Sequence, residues 1–324
     1  MQNRLRAILC FIGACAPTAV IAQTVPQTGD AAVQSQWFTG SLEAPSPALG
    51  KAGLFSIEPY IIDSQGDGAY DGSGRHHPVA ANANQLQSET SVKYALTNRL
   101  TVQLLPSFTH TWQGGATSTG VGDLPVELEY RFNNENDRTG FPSFTASLGV
   151  HLPTGAYNHL HAAIDGYGTG AYTLKEGLLA QSLFDTKGGH PVRLRFYGAV
   201  FEALGDVSIR DISTYGTAAG FRGRAAPGFS GEFGLGAGYA FDQRWVFAFD
   251  VLENLANATR VSGVDGAGLP VFVAGTSSRS TALAPAIEYN WSSRFGIIAG
   301  VAFTVAGRNT ASYYAPQIAL STSF

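Results

Sequence analysis

GVGDLPVELEYRF, residues Gly120 to Phe132, contains the stretch that decides the fold. From Leu124 onward it alternates: Leu124, Val126, Leu128, Tyr130 and Phe132 stand against Pro125, Glu127, Glu129 and Arg131. A period of two makes it a strand, because successive side chains leave a strand on opposite faces. A strand with one greasy and one charged face suits either a soluble sandwich or a membrane barrel around a wet lumen.

The rest of the chain chooses between them. The same period recurs about twelve times: Ala52 to Ile62, Leu86 to Leu96, Leu100 to Trp112, Leu124 to Phe132, Phe144 to Leu152, Tyr172 to Phe184, Val192 to Leu204, Phe229 to Phe241, Trp245 to Val251, Thr281 to Trp291, Phe295 to Val305 and Tyr314 to Phe324. Most of these runs hold ten or more residues, against a mean of about 5–6 in soluble domains. The connections alternate in length. Thr97-Asn98, Asp242 to Arg244 and Ser292 to Arg294 are tight turns, whereas Asp63 to Gln85, Gln113 to Gly122, Pro153 to Gly170, Gly205 to Gly228 and Leu255 to Arg279 are long, polar loops. Outer-membrane barrels sort their loops in this way, and a soluble sandwich has no reason to. Tyr94, Trp112, Phe132, Phe241, Trp245, Tyr289, Trp291 and Tyr313 fall near strand ends, as interfacial girdles do. The closing run from Ile318 to Phe324 alternates and ends on a phenylalanine, the form of a barrel-assembly signal, with Phe324 as its mark.

The chain opens MQNRLRAILCFIGACAPTAVIAQ, with a basic start at Arg4 and Arg6 and an apolar run broken by Pro17. This reads as a signal peptide cut after Ala22. The run is too short and too interrupted for a spanning helix, which needs roughly 20 apolar residues. A second reading, lipid attachment at Cys15 within Phe11 to Cys15, stays open. Both cysteines, Cys10 and Cys15, lie in this segment, so the mature chain carries no disulfide. Without Arg4 and Arg6 the 20 basic residues fall to 18 against 24 acidic ones, a net charge of −6. That mildly acidic balance offers no basic stripe for nucleic acid. The expected division is 1–22 signal peptide, 23–50 a flexible Pro/Gln/Ser/Ala-rich segment that could serve as a lumen hatch, and 51–324 the barrel.

Short motifs along the mature chain resemble one family. They are Ser41 to Pro47 leading into Ile57-Glu58-Pro59-Tyr60, then Gly122-Asp123-Leu124, then Leu148 to Gly155, and the late strand Ala284 to Tyr289. The family is that of the outer-membrane proteins named for the meta-pathway of phenol degradation. The resemblance implies a barrel and a transport-like role for small compounds, aromatic ones included.

By alternation Glu89, Lys93, Glu127, Glu129, Arg131, Lys175, Arg193, Arg195, Glu232, Asp250 and Glu288 line the lumen. They either set a field that selects permeants or pair with one another and fill a narrow barrel. About eight strands leave no open pore and sixteen a wide one, so twelve imply a constricted path. His76-His77 and the pair His159 and His161 fall in outer loops without nearby cysteines. They read as solvated loop histidines, with no metal and no cofactor implied. His110 lies on the outward face beside Trp112, where girdle placement explains it better than catalysis, and no Gly-x-Ser-x-Gly elbow occurs. Glu176 and Glu202 break the outward pattern.

These observations imply an all-β, antiparallel up-and-down transmembrane barrel of about twelve strands, exported to a Gram-negative outer membrane. Its expected partners are membrane lipid, the barrel-assembly machinery and a small-molecule permeant. The expected function is a passive channel, not an enzyme; the alternative is a structural or binding barrel with a closed lumen.

Overall fold

A computed structural model describes residues 36–136, 139–186 and 188–324. The expected signal peptide, Cys15 and the start of the expected 23–50 segment lie outside the described residues.

Twelve antiparallel strands form one closed sheet. They are β1 (Phe55–Tyr70), β2 (Asn84–Ala95), β3 (Leu100–Leu104 and Ser107–Gln113), β4 (Ala116–Val121 and Leu124–Arg131), β5 (Ser143–Leu152), β6 (Thr173–Asp185), β7 (Pro191–Ala203), β8 (Ser230–Ala240), β9 (Trp245–Ala256), β10 (Ser278–Ser292), β11 (Phe295–Arg308) and β12 (Thr310–Ser323). Each strand pairs with its neighbours in sequence, and β1 pairs with β12 to close the ring, from Ser56↔Ser323 to Tyr70↔Thr310. Phe324 ends the seam: its amide donates to Phe55 O at 2.9 Å, and the two rings lie 6.2 Å apart. No described helix is long and apolar enough to cross a membrane. The sheet itself is the spanning element, because an open edge would leave unpaired backbone groups in hydrocarbon at several kcal/mol each.

The alternation of residues 124–132 holds in three dimensions. Leu128, Tyr130 and Phe132 are 46%, 41% and 52% exposed on the outside, while Glu127, Glu129 and Arg131 are buried inside. A one-residue slip would exchange the two sets. Glu176 and Glu202 face outward on β6 and β7, near the long-loop end.

The end of the barrel with tight turns carries an aromatic belt. The Tyr289 ring lies 4.6 Å from Trp245 at a tilt and meets Trp291 edge-on at 5.2 Å, and Trp291 stacks on Phe295 at 4.8 Å. Tyr313 does not belong to it. It faces inward and packs on the lumen's apolar cluster.

The opposite end departs from the sequence expectation in three ways. The loop expected over Asp63 to Gln85 begins as strand, since β1 runs on to Tyr70 and a two-residue strand, His76–His77, folds back on it. The loop expected over Gln113 to Gly122 is the turn Gly114-Gly115, flanked by paired strand. Beyond the bilayer both faces of a strand meet water, so the alternation that marks a strand disappears. The loops over 204–229 and 257–277 build a second, four-stranded sheet from Val207–Arg210, Arg222–Ala226, Arg260–Val264 and Pro270–Ala274.

Two breaks interrupt the wall. Pro106 splits β3, having no amide to offer the ladder. In β4, Val121 and Leu124 both face outward although three positions apart, so the alternation slips at Gly122-Asp123.

The lipid-facing assignment predicts that Leu128→Arg destabilises the folded barrel by about 2–4 kcal/mol in bilayers. A denaturant titration of folding into vesicles measures this, and an unchanged midpoint would contradict the assignment.

Candidate functional site

All eleven lumen candidates face the interior. The lumen they enclose is occupied by the chain itself. Residues 38–49 run inside the barrel, with Thr39, Leu42, Glu43, Ala44, Ala48 and Leu49 almost completely buried.

Wall side chains hold this segment chiefly by its backbone. Glu288 Oε2 accepts Thr39 N at 2.7 Å, Asp250 Oδ2 accepts Glu43 N at 2.9 Å, and Thr101 Oγ1 accepts Leu49 N at 2.9 Å. From the other sign of charge, Arg195 donates to Ala44 O at 3.2 Å, Lys93 to Ser46 O at 3.1 Å, and Arg131 to Ala48 O. Asn290 takes the Thr39 hydroxyl at 2.8 Å, Gln317 donates to Glu43 Oε1 at 2.6 Å, and the Arg193 guanidinium lies 4.4 Å from the centre of the Phe38 ring. Bonds between a charged group and the backbone are the strong kind, each worth about 1.5–3 kcal/mol.

The apolar contact is as specific. Leu42 belongs to one buried apolar cluster with Tyr60, Ile62, Ile298 and six alanines of β9 to β12. Missing side chains on the wall admit the segment: a Cβ on Gly236 would lie 2.7 Å from Ala44 Cβ, one on Gly296 2.0 Å from Thr39 Oγ1, and one on Gly300 2.6 Å from Leu42 Cδ1.

The predicted residues therefore divide. Arg131, Arg193, Arg195, Asp250 and Glu288 grip the segment. Glu89, Glu127, Glu129, Lys175 and Glu232 line a cavity of about 60 Å³ on the other side of the lumen, and Lys93 serves both. Two ion pairs cross this cavity wall, Lys93–Glu129 at 2.7 Å and Lys175–Glu127 at 2.6 Å, while Arg193–Glu288 at 2.9 Å lies with the segment. The cavity has room for a few waters at roughly 10–15 Å³ each, whereas a benzene ring occupies a cavity of about 150 Å³.

Three further inward residues fall outside the eleven candidates: Glu58, and Tyr197 and His151, which alternation places on the inner face. Glu58 and Tyr197 are almost fully buried in the lumen, and the His151 ring meets Phe201 edge-on at 5.6 Å, beside Lys175. Alternation did not single out Asp123, whose carboxylate sits at the slip in β4. Its Oδ1 accepts Gly155 N at 3.0 Å, and its Oδ2 accepts Thr169 N and Oγ1, both at 2.8 Å. Thr154 Oγ1 donates to Gly122 O at 2.9 Å. The motifs Gly122-Asp123-Leu124 and Leu148 to Gly155 are thus two halves of one latch, which fastens the 153–172 loop to the barrel mouth.

The loop histidines have local partners. His77 Nε2 lies 2.9 Å from Asp71 Oδ2, His76 Nε2 2.7 Å from Ser312 Oγ, and His159 Nδ1 2.7 Å from Asp211 Oδ2. His110 bonds Thr119 at 2.7 Å and lies against Trp112 at 5.9 Å. The Ser73 hydroxyl and the Arg75 amide hold the Asp71 carboxyl well below the usual range. The Gly220 amide and His159 lower Asp211 in the same sense. A depressed carboxyl stabilises its loop above the unfolded carboxylate range and loses that contribution only as pH falls through the folded value.

No family model matches the chain, and none of the curated proteins does. Among solved structures it is similar to an outer membrane channel from Pseudomonas putida F1, with 18% identity over 87% of this chain and 97% of that one, at a TM-score of 0.63. It aligns less well with the porin NanC (10% identity, 82% of this chain and 98% of that one, TM-score 0.41). A deletion mutant of the monoaromatic hydrocarbon channel TodX gives 13% identity over 91% and 99%, at a TM-score of 0.42. The first likeness places the chain in the outer-membrane barrel fold.

The fit between segment and glycines predicts that Gly236→Val displaces residues 38–49. Removing one charge-to-backbone bond by Arg195→Ala should expose the segment roughly tenfold to a hundredfold more, given 1.5–3 kcal/mol per bond and tenfold per 1.4 kcal/mol. Chymotrypsin cleavage at Trp37, Phe38 and Leu42 in the folded barrel reports this, and unchanged rates in both variants would rule out the clamp.

Proposed function

We propose that the protein is a passive outer-membrane channel for small, apolar or aromatic molecules, closed at rest by its own N-terminal segment. The observation that carries this reading is the two-sided lumen. One half is charged and bears the water-sized cavity. The other half, although Asp250 and Glu288 reach from it to the segment, holds around Leu42 an apolar patch of alanines with Tyr60, Ile62 and Ile298. Withdrawal of residues 38–49 would open a path with one wet and one greasy side, suited to a molecule with a ring and a polar end. The cavity beside the seated segment is too small for such a molecule, so passage requires the segment to move. In this reading residues 23–50 are the hatch, following a cleaved leader of residues 1–22, and 51–324 are the barrel.

The family resemblance through Asp123 and Leu148 to Gly155 supports the same role. So does the printed description of the similar solved structure from Pseudomonas putida F1, an outer membrane channel. The tight-turn end faces the periplasm and the long loops face the cell surface, as in barrels of this architecture. Lipid surrounds the belt, and the strand ending at Phe324 is the signal for the assembly machinery. No catalytic step forms part of this reading. The number of charge-to-backbone bonds favours one alternative, a barrel whose lumen stays shut and whose role is structural or binding.

Planar-bilayer recordings separate the two. Deleting residues 36–50 should convert small, rare openings into large, persistent ones, and Gly236→Val should do so in part. With carboxylates outnumbering ammonium groups four to two around the cavity, the opened pore should prefer cations, and Glu89→Gln with Glu232→Gln should bring the reversal potential towards zero. A silent, correctly folded deletion variant would establish the closed barrel instead.

A further inference from the structure

The second sheet, built by the loops over 204–229 and 257–277, borders a half-open cavity of about 200 Å³ that the channel reading does not use. Its registers place Val207, Ala225, Val261 and Val273 on one rung and Ile209, Gly223, Gly263 and Val271 on the next, all on the same face. The glycines Gly223 and Gly263 face each other, and a Cβ on either would lie 2.8 Å from Phe221 Cζ. The tip of the Phe221 ring therefore reaches over a bare patch of backbone, and the ring lines the cavity. Val261, Val271, Val273 and Tyr215 line it, and the exposed Ala218, Ala219 and Gly266 lie at its rim. There the two loops touch through glycine: a Cβ on Gly220 would meet Gly266 Cα at 2.7 Å.

The polar groups around this cavity are already engaged. Tyr215 OH donates to Thr169 O at 2.5 Å, and burial pushes the phenol's pKa up, so it stays neutral. Asp265 Oδ1 accepts the Ala267 and Leu269 amides, both at 2.9 Å. Gly220 N donates to Asp211, and Thr217 Oγ1 to Asp211 O. An anionic ligand would find no partner and would lose its hydration. The sheet's arginines Arg210, Arg222, Arg224 and Arg260 alternate onto the opposite face. An apolar cavity of about 150 Å³ already suffices for benzene.

The geometry points to this cavity as a binding site for a small uncharged apolar molecule of one aromatic ring, held against Phe221 at the long-loop end of the barrel. The site is fixed to the wall through Thr169, whose carbonyl takes the Tyr215 hydroxyl and whose amide and hydroxyl bind Asp123. It does not depend on whether the lumen opens.

Crystals of the full chain soaked in bromobenzene test it. An anomalous bromine peak is expected within contact of the Phe221 ring. Val273→Phe, which fills the cavity, and Ala219→Phe, which blocks the mouth from an exposed position, should each reduce its occupancy at least tenfold. Any bromine in the lumen should persist in both variants. A loop cavity without bromine in the native protein would overturn the site, and so would a peak that survives both substitutions. Bromine in this cavity of a barrel that passes no current would support the site while counting against the channel.

Discussion

The lumen is organised around an unusual use of charge: carboxylates and guanidinium groups on the wall grip the backbone of a strand-free segment. Isolated charges inside a protein are costly, and burial is tolerated when each is paired and hydrogen-bonded. Here amide hydrogens meet Glu288 and Asp250, while carbonyl oxygens meet Arg195, Lys93 and Arg131. Because the bonds go to backbone, what the wall recognises in the segment is its path. Selection by shape falls to the glycines opposite Thr39, Leu42 and Ala44.

This explains which parts of the architecture were legible in the sequence. The outward face was, because lipid requires every second residue of every spanning strand to be apolar, and Leu124 to Phe132 obeys without exception. The strand number and the direction of all eleven charged candidates followed from that face alone. The inner face was half legible. Over β2 to β7 it meets the backbone of residues 44–49 and the small cavity through charged and polar side chains, and it reads as polar. Over β9 to β12 and β1 it faces Leu42, so Tyr60, Ile62, Ile298 and a series of alanines face inward where water would call for polar residues. That two-sided apolarity, with inward Gly236, Gly296 and Gly300, is the segment's footprint, and it becomes readable only once the outward register is fixed.

The loop end was illegible for a different reason. Strands of four or five residues, such as Val207–Arg210 and Pro270–Ala274, are shorter than any alternation that stands out from composition. The upper part of β1, Asp63 to Tyr70, meets water on both faces and has no greasy side to mark it. Asp123 was visible as part of a motif, but its role was not. Its partners Gly155 and Thr169 lie 32 and 46 residues away, and only the closed barrel brings them to one place.

Seating the segment and closing the sheet are separable, and that follows from where the bonds go. The β1–β12 seam is made by ladder bonds between strands and ends at Phe55 and Phe324. None of those bonds uses a side chain that holds residues 38–49. Withdrawing the segment would leave Arg195, Asp250 and Glu288 facing a lumen that water can enter, rather than hydrocarbon. Their hydration would then replace the lost backbone partners, so release costs only the difference between two hydrogen-bonded states. Opening the seam instead would place unpaired amides in lipid, where no such replacement exists. A barrel built this way can lose its internal segment while its wall stays intact.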